Sequence, residues 1–333
     1  MPRFFVIITI GFFLICVPNK VTAQAGKIAE TYQKLLDFEN HRQVDSIKIY
    51  ASRFLKTTEK EPSSLYRLWA LYYYSTIHFM AEQDYCLAIT LEAHEGFIMR
   101  KNLMGVIKTA NRLGNIYARA RNDVNSSNHY YRFGLNQVQL NNKNQLTDSL
   151  MANYQIMFLN NLTINEMALG NFEEGISLAT EAFTYGKKQP ISKHHAVTLM
   201  NMGNINFRLK NYSKSIDINR ELFIISKKLE NEPLIAVSLN NLASNFGMLE
   251  QLDSALFYLE KSYKISQKRK DWDAIALKAS NIGSVFSKMS QFENAHNYYR
   301  EALDIAQKHH LLHREIDVIY HLSFDSLKHI DLI

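Results

Sequence analysis

The sequence is poor in cysteine, with only Cys16 and Cys86 among its 333 residues. Cys16 lies in an N-terminal segment that has the features of a removable signal, so the mature chain keeps Cys86 alone. A single cysteine cannot form an intramolecular disulfide. The fold must therefore be stabilised by packing, for which the apolar content of 47% is sufficient in a chain of this length.

The sequence also lacks the short motifs that carry common catalytic chemistry. It contains no nucleophile elbow, no glycine-rich phosphate loop and no paired cysteine motif. His309, His310 and His313 lie close together, but they fall in a predicted loop, and no carboxylate–histidine motif of a metalloenzyme accompanies them. We therefore expect no enzymatic activity, no cofactor and no metal site.

Charge of one sign is not concentrated in any part of the chain. The formal net charge is +6, and it falls by two to +4 without Arg3 and Lys20. The remaining Lys and Arg residues are interspersed with Asp and Glu, a pattern that is typical of a solvated surface. We therefore expect no nucleic-acid partner.

One short apolar run stands at the N-terminus. Phe4 to Val17 carries no charge, Arg3 precedes it, and Ala23-Gln24-Ala25 offers small residues at signal-peptidase spacing. This layout is typical of a secretory signal peptide, and the run is shorter than the roughly 20 residues of a membrane span. We predict that residues 1–25 are removed and that the protein is exported, periplasmic or secreted from a bacterial cell, with no membrane span left. The alternative is an uncleaved N-terminal anchor.

From residue 156 to residue 308 the sequence repeats with a period of 40. A small residue recurs at this spacing, at Thr163, Gly203, Ala243 and Gly283, and asparagine stands two positions before each of them. A second small position follows twelve residues later, at Gly175, Ser215, Ala255 and Ala295. A fixed period in this range indicates a repeat array.

Apolar residues recur at helical spacing along the chain, and almost no stretch alternates as a strand does. We predict an all-α fold with helical pairs over 27–56, 65–97 and 102–140, and four regular pairs over 151–308. Asn171 and Glu174 resemble a capping box at one turn. The predicted organisation is a signal peptide (1–25), degenerate helical pairs (26–145), four repeats (146–310) and a partial repeat or capping helix (311–333).

The pattern resembles the tetratricopeptide repeat. If the first small residue of each unit is position eight, aromatic residues favour positions eleven and seventeen, and small residues recur at twenty and twenty-seven. Two antiparallel helices pack closely only where small side chains face each other. The period of 40 overlaps that of HEAT repeats, but the small positions match the tetratricopeptide pattern and no HEAT-type proline interrupts the first helices. The long period resembles the repeats of kinesin light chains. The resemblance implies a right-handed superhelix of antiparallel helix pairs, an α-solenoid.

The resemblance also implies a concave, ligand-facing groove formed by the first helix of each unit. On a helical wheel this side is rich in amides and methionine and carries little charge. An amide both donates and accepts hydrogen bonds, and methionine adapts to varied apolar groups, so the groove fits a peptide or a segment of another protein. The predicted ligand-binding residues are Asn160, Asn161, Met200, Asn201, Asn204, Phe207, Asn240, Asn241 and Asn281. The alternative is that the repeated asparagine is structural and bonds the neighbouring repeat.

The helix predicted over residues 102–120 has a different chemistry. Lys108, Arg112 and Arg119 share one helical face and would be able to hold an acidic group of a ligand. The alternative is a solvated face without a ligand.

Two functions remain open from the sequence. The leading hypothesis is an exported, non-enzymatic scaffold that recognises a protein or peptide through its groove. The alternative is the sensory, extracytoplasmic part of a signalling system, because exported arrays of this kind resemble the sensor domains of histidine kinases and helix-turn-helix regulators. That alternative requires a membrane-protein partner. Residues 311–333 begin another unit and either cap the array or leave a place for a helix that a partner supplies.

Overall fold

The computed structural model describes residues 19–40, 44–61, 64–79, 81–140 and 146–330. Within these ranges all regular structure is helical, which confirms the all-α prediction. The fifteen described helices are α1 (Asn19–Asn40), α2 (Val44–Thr58), α3 (Leu65–His78), α4 (Gln83–Met99), α5 (Leu103–Arg119), α6 (Val124–Gln139), α7 (Asp148–Leu169), α8 (Phe172–Lys187), α9 (Lys193–Arg208), α10 (Tyr212–Lys228), α11 (Glu232–Met248), α12 (Leu252–Lys268), α13 (Trp272–Lys288), α14 (Phe292–Lys308) and α15 (Leu312–Ile330).

Most of the predicted signal segment, residues 1–18, lies outside the described residues, and residues 19–25 belong to α1. Among the helices that the structure describes, none combines the length and the apolar character that a membrane span requires.

The chain divides into two compact units, residues 1–123 and 124–333. In the first unit, α3 packs against α1, α2, α4 and α5. In the second unit, each helix from α6 to α14 packs against the next one along the chain. Of the helices in the predicted pair over 102–140, α5 belongs to the first unit and α6 to the second. Within the second unit α6 packs against α7, where Gly134 leaves no room for a Cβ beneath the ring of Phe158.

The period of 40 is visible in the backbone at the turn inside each pair. A residue just past the end of the first helix has a positive φ. It is the C-cap residue in α7, Gly170 (79°), and the residue after the C-cap in the other three repeats, Lys210 (61°), Glu250 (58°) and Ser290 (59°). The N–H of the next residue then donates to a carbonyl five residues back, at 2.8 Å from Asn211 to Asn206 and 2.9 Å from Gln291 to Phe286. These bonds satisfy carbonyls that the helix end leaves unpaired. Gly170 adopts this conformation without the Cβ clash that the other three residues accept.

The first helices of the pairs begin with side-chain caps. Ser192, Asn231 and Asp271 accept hydrogen bonds from the backbone N–H three residues on, at 3.4, 3.1 and 3.3 Å. The second helices from α8 to α14 lack such a bond. Asn171 precedes α8, but its side chain donates to Glu166 Oε2 at 2.9 Å, so the predicted capping box with Glu174 is wrong. The amide ties the turn to α7 instead.

The small residues of the period lie where the two helices of a pair meet. All eight of them are buried. Ser215 Oγ donates to the carbonyl of Gly203 at 2.9 Å, so the hydroxyl bonds the facing helix directly. A Cβ on Gly175 would lie 3.3 Å from Ile205 Cδ1 of α9 and 3.8 Å from Glu166 Cβ of α7. The contact of Ser215 with Gly203 confirms that small side chains allow the close approach of α9 to α10.

Candidate functional site

First helices of successive repeats also contact each other, α7 with α9 and α9 with α11. The helical wheel predicts that Asn160 and Asn201 face an open groove, but each is only 2% exposed. Asn160 Nδ2 donates to the carbonyl of His194 at 3.1 Å, and Asn201 Nδ2 donates to the carbonyl of Asn160 at 3.4 Å. The predicted exposure of these two amides is therefore wrong, because neighbouring first helices cover them. Their contacts are those of the structural alternative.

The other predicted groove residues on these helices are half-buried: Asn161, Met200, Asn204, Phe207, Asn240, Asn241 and Asn281. Asn281 Nδ2 donates to Asn240 Oδ1 at 3.1 Å, which links α13 to α11. Met200 packs against the core that Ala196 and Leu199 form. Asn241 and Asn281 thus bond the preceding repeat while keeping part of their surface open.

A cleft of about 350 Å³ lies among α7, α9, α10 and α11. It brings together three of the predicted residues, Asn204, Phe207 and Asn241, and leaves the remaining predicted residues outside its lining. The complete lining is Met167, Asn204, Phe207, Arg208, Ser215, Asn219, Asn241, Ser244 and Asn245. We call this space the amide cleft.

Asn219 and Asn245 are lining residues that the sequence pattern did not single out. Asn219 lies on a second helix, and Asn245 lies between the groove face and the core face of α11. Both residues are asparagines at positions that packing buries, and this is the feature that could have identified them. Asn219 is 0% exposed and Asn245 is 1% exposed. Buried polar groups are normally hydrogen-bonded, so an amide at such a position predicts a network.

The amides of the cleft bond one another. Asn241 Nδ2 donates to Asn204 Oδ1 at 3.2 Å and to Asn219 Oδ1 at 3.1 Å. Asn219 Nδ2 donates to the carbonyl of Ser215 at 2.8 Å, and Asn245 Nδ2 donates to the carbonyl of Asn241 at 2.8 Å. Gly203 admits this arrangement, because a Cβ there would lie 2.7 Å from Asn219 Nδ2. The network fixes the direction in which each amide oxygen points.

One acceptor of the cleft has no partner. Asn245 Oδ1 is buried and receives no hydrogen bond from the residues that the structure describes. Arg208 is the one charged residue of the lining, and it is exposed. The amide cleft is therefore a mainly neutral site with a buried acceptor, an exposed cation and the apolar side chains of Met167 and Phe207.

In the first unit, the predicted cationic face is mostly covered by α3. The ammonium of Lys108 lies 5.9 Å from the ring centroid of Trp69, and Arg112 lies 4.4 Å from that of Phe79. Arg112 Nη2 also donates to the carbonyl of Ser75. Burial lowers the pKa of the Arg112 guanidinium to about 10. Arg119 is exposed. The three cations therefore do not form one open anion site.

The histidines near residue 310 contact different partners. His309 stacks on Trp272 with ring centroids 4.4 Å apart, and His313 Nε2 lies 2.8 Å from Asp273 Oδ1. In the part of the chain that the structure describes, no three His, Cys, Asp or Glu side chains are placed to hold a metal ion.

Comparison with known proteins identifies the repeats. Residues 194–268 and 276–310 match family models of the tetratricopeptide repeat. No curated protein matches the chain.

Solved structures of similar fold share little sequence with this chain. The apo form of the quorum sensor NprR from B. thuringiensis has a TM-score of 0.66 and 13% identity, over 85% of this chain and 77% of that chain. A signal transduction ATPase with numerous domains and a tetratricopeptide repeat sensor, from Pyrococcus horikoshii, has a TM-score of 0.65 and 16% identity, over 86% of this chain and 42% of that chain. A Rap protein complexed with competence and sporulation factor has a TM-score of 0.60 and 12% identity, over 86% of this chain and 77% of that chain. At these identities the similarity shows the fold alone.

Proposed function

Because this chain is a tetratricopeptide repeat protein, we propose that it is an exported, non-enzymatic scaffold that binds a peptide or a segment of another protein in the amide cleft. The observation that carries the proposal is the lining of the cleft, which combines the half-buried amides of Asn204 and Asn241 with the half-buried apolar side chains of Met167 and Phe207.

The size and the chemistry of the cleft support a peptide ligand. Its volume of about 350 Å³ is at the lower end of the range for ligand pockets. Asn204 and Ser244 offer polar groups near the opening, while Met167 and Phe207 provide apolar surface. A peptide presents N–H donors, carbonyl acceptors and apolar side chains together, and this mixture matches the lining.

Two of the similar structures support a binding role by analogy of fold. One is a Rap protein complexed with competence and sporulation factor, and another is the quorum sensor NprR. The sensor descriptions of NprR and of the Pyrococcus protein favour the second candidate function, a sensory part of a signalling system. A membrane receptor or kinase as the captured partner would favour that candidate over a scaffold.

The proposal is tested by capture of partners from an envelope extract on the immobilised full chain. Ser244→Arg places a long side chain in the cleft lining, and Lys264→Ala removes an exposed side chain of α12 outside the lining. We expect the partner that the unaltered chain and Lys264→Ala retain to be lost from Ser244→Arg, with thermal melts showing all three chains folded. If folded Ser244→Arg captures the same partner in the same amount, the cleft is not the binding site.

A further inference from the structure

We infer that the outer face of α15 binds an amphipathic helix of a partner protein, which packs there as the second helix of a pair. We define the outer face by four large apolar side chains, those of Leu312, Ile316, Ile319 and Tyr320. It is separate from the amide cleft, which lies among α7, α9, α10 and α11. The inference therefore goes beyond the proposed function and adds a second binding surface.

One side of α15 attaches it to the array. Val318 is 1% exposed and belongs to a core cluster with Ala279 of α13 and Tyr299 of α14. Arg314 donates to both carboxylate oxygens of Asp273, at 2.9 and 3.1 Å. The outer face lies on the side of the helix away from Val318, and its four side chains are 50–67% exposed. Large apolar residues that share one open face indicate an interaction surface.

The same phases of the period are buried in the preceding repeats. Ile316 and Ile319 correspond to Ala276 and Ala279 of α13, which are both 0% exposed. The equivalent residues of α7, α9 and α11 are at most 3% exposed. In each of these pairs the second helix packs on the first: α8 on α7, α10 on α9, α12 on α11 and α14 on α13. Among the described residues, α13 and α14 pack against α15, and the place of a second helix is open.

The α7–α8 pair indicates which kind of helix fits the outer face. At this face α7 and α15 carry residues of similar size. Where α15 has Ile316, Ile319 and Ser323, the residues of α7 are Ile156, Leu159 and Thr163. The face of α8 that covers α7 is a stripe of small buried residues: Gly175, Ala179, Ala182 and Gly186. Small residues let a helix approach large aliphatic side chains closely, so we expect the partner helix to carry such a stripe.

The charge at the start of α15 indicates a cation on the partner helix. Glu315 lies in the first turn, one helical turn from Leu312 and from Ile319, and it forms no ion pair with the described residues. The second helices α8, α10, α12 and α14 each carry a lysine in the last turn. In the α11–α12 pair this lysine, Lys268, contacts Glu232 in the first turn of α11 at 2.7 Å. A cation in the last turn of an antiparallel partner helix would meet Glu315 in the same way.

A second copy of this chain does not supply such a helix. Its own outer face carries isoleucine and tyrosine, so two copies would oppose large side chains without a stripe of small residues between them. The small-residue stripes of the chain lie on its second helices, where residues such as Gly175 and Ala179 are buried within their own pairs. The occupant that matches the outer face is therefore a helix of another protein.

The test uses a peptide with the sequence of α8, residues 172–187, as the probe. An isolated helix of this length is marginal in water, so Ser177→Lys is introduced to form a lactam bridge to Glu181, and both positions are exposed in α8. The labelled peptide is titrated with the full chain, and fluorescence anisotropy gives the dissociation constant. Two control peptides carry Ala179→Glu, which places a charge in the stripe, or Lys187→Glu, which reverses the charge of the last turn.

We expect the probe to bind the full chain. Ala179→Glu should weaken binding by at least about tenfold, because a carboxylate would be buried against the apolar side chains of the outer face. Lys187→Glu should weaken binding about threefold, the effect of an exposed charge pair, and high salt should remove this difference.

The matched chain variants are Ile316→Ser and Ile224→Ser. Both residues are exposed isoleucines, at 62% and 53%, and Ile224 lies on α10, outside the outer face. Neither substitution removes a core side chain, so we expect both variants to stay folded. Ile316→Ser should weaken binding of the probe about tenfold through the loss of one buried aliphatic side chain, and Ile224→Ser should leave it unchanged.

Absence of probe binding, or an affinity that Ile316→Ser does not lower below that of Ile224→Ser, overturns the inference. Sedimentation equilibrium adds one outcome: a dimer of the chain that Ile316→Ser dissociates would mean that a second copy covers the outer face, which also overturns the partner helix. Partner capture with Ser244→Arg judges the amide cleft separately, because that substitution leaves the outer face of α15 unchanged.

Discussion

Replacement of Gly283 by alanine is a direct test of the close packing inside a helix pair. A Cβ at this position would lie 2.9 Å from Cδ1 and Cε1 of Tyr299 and 3.1 Å from the carbonyl oxygen of Ala295. Tyr299 is 1% exposed, and its ring stacks on His321 with centroids 5.7 Å apart. The ring therefore has little space to move into, and the Ala295 carbonyl is part of the α14 backbone. Relief of the contact requires α14 to move away from α13.

Two effects of opposite sign determine the result. Alanine in place of glycine inside a helix favours the helix by about 1 kcal/mol. An extra methyl group in a close-packed core costs about 1–3 kcal/mol. Since both a buried ring and a backbone atom would have to shift, we expect the second effect to dominate at Gly283. The predicted net loss is up to about 2 kcal/mol of the free energy of unfolding.

The assay is urea unfolding followed by circular dichroism, with Gly247→Ala as the control. At Gly247 the nearest atom to a new Cβ is Ala255 Cβ at 3.9 Å, an ordinary contact. We expect Gly247→Ala to unfold at the same or a higher urea concentration and Gly283→Ala at a lower one, with unchanged slopes. If both variants gain stability equally, the close packing of α13 on α14 does not constrain this position and the reasoning is refuted.

Three further predictions follow from burial and from the N-terminal sequence. Asn201→Ala should lower the free energy of unfolding by about 1–3 kcal/mol, because the amide is only 2% exposed and bonds a neighbouring helix. The control Lys264→Ala removes an exposed side chain and should change the free energy of unfolding by less than about 0.5 kcal/mol. Equal thermal melts of the two variants would contradict a structural role for Asn201. Burial lowers the pKa of His195, with a smaller opposing effect of Glu221, so the folded chain favours the neutral ring. Its contribution to stability should be complete above the ordinary pKa of 6.5 and should decrease as the pH falls below it. Melting from about pH 8 to about pH 5 checks this, and parallel curves for the unaltered chain and His195→Gln would argue against it. Finally, the intact mass of protein from the producing cell should lack the first 23 to 25 residues, and a mass that includes Met1 would favour an anchor.

The sequence alone determined the class of fold, the period and the turns. These features depend on neighbours close in the chain. The small residues, such as Gly203 and Ser215, each recur at intervals of 40 positions, and helix-breaking residues recur at one phase of the same period. Helix formation and helix ends are controlled by such local contacts, so a single sequence shows them. The pattern also placed Asn204, Phe207 and Asn241 on one side of the first helices, and these three residues line the amide cleft.

Only the tertiary structure decided which of the repeated amides are open to a ligand. A helical wheel treats each first helix separately, but α7, α9 and α11 lie beside one another and bury Asn160 and Asn201 between them. The amide network of the cleft likewise depends on α10, whose Asn219 accepts a hydrogen bond from Asn241 of α11. The partner of α6 is also a matter of packing, since Gly134 accommodates Phe158 of α7. Contacts between helices that are far apart in the chain determine whether each buried polar group finds a hydrogen-bond partner. A periodic sequence pattern does not specify these contacts.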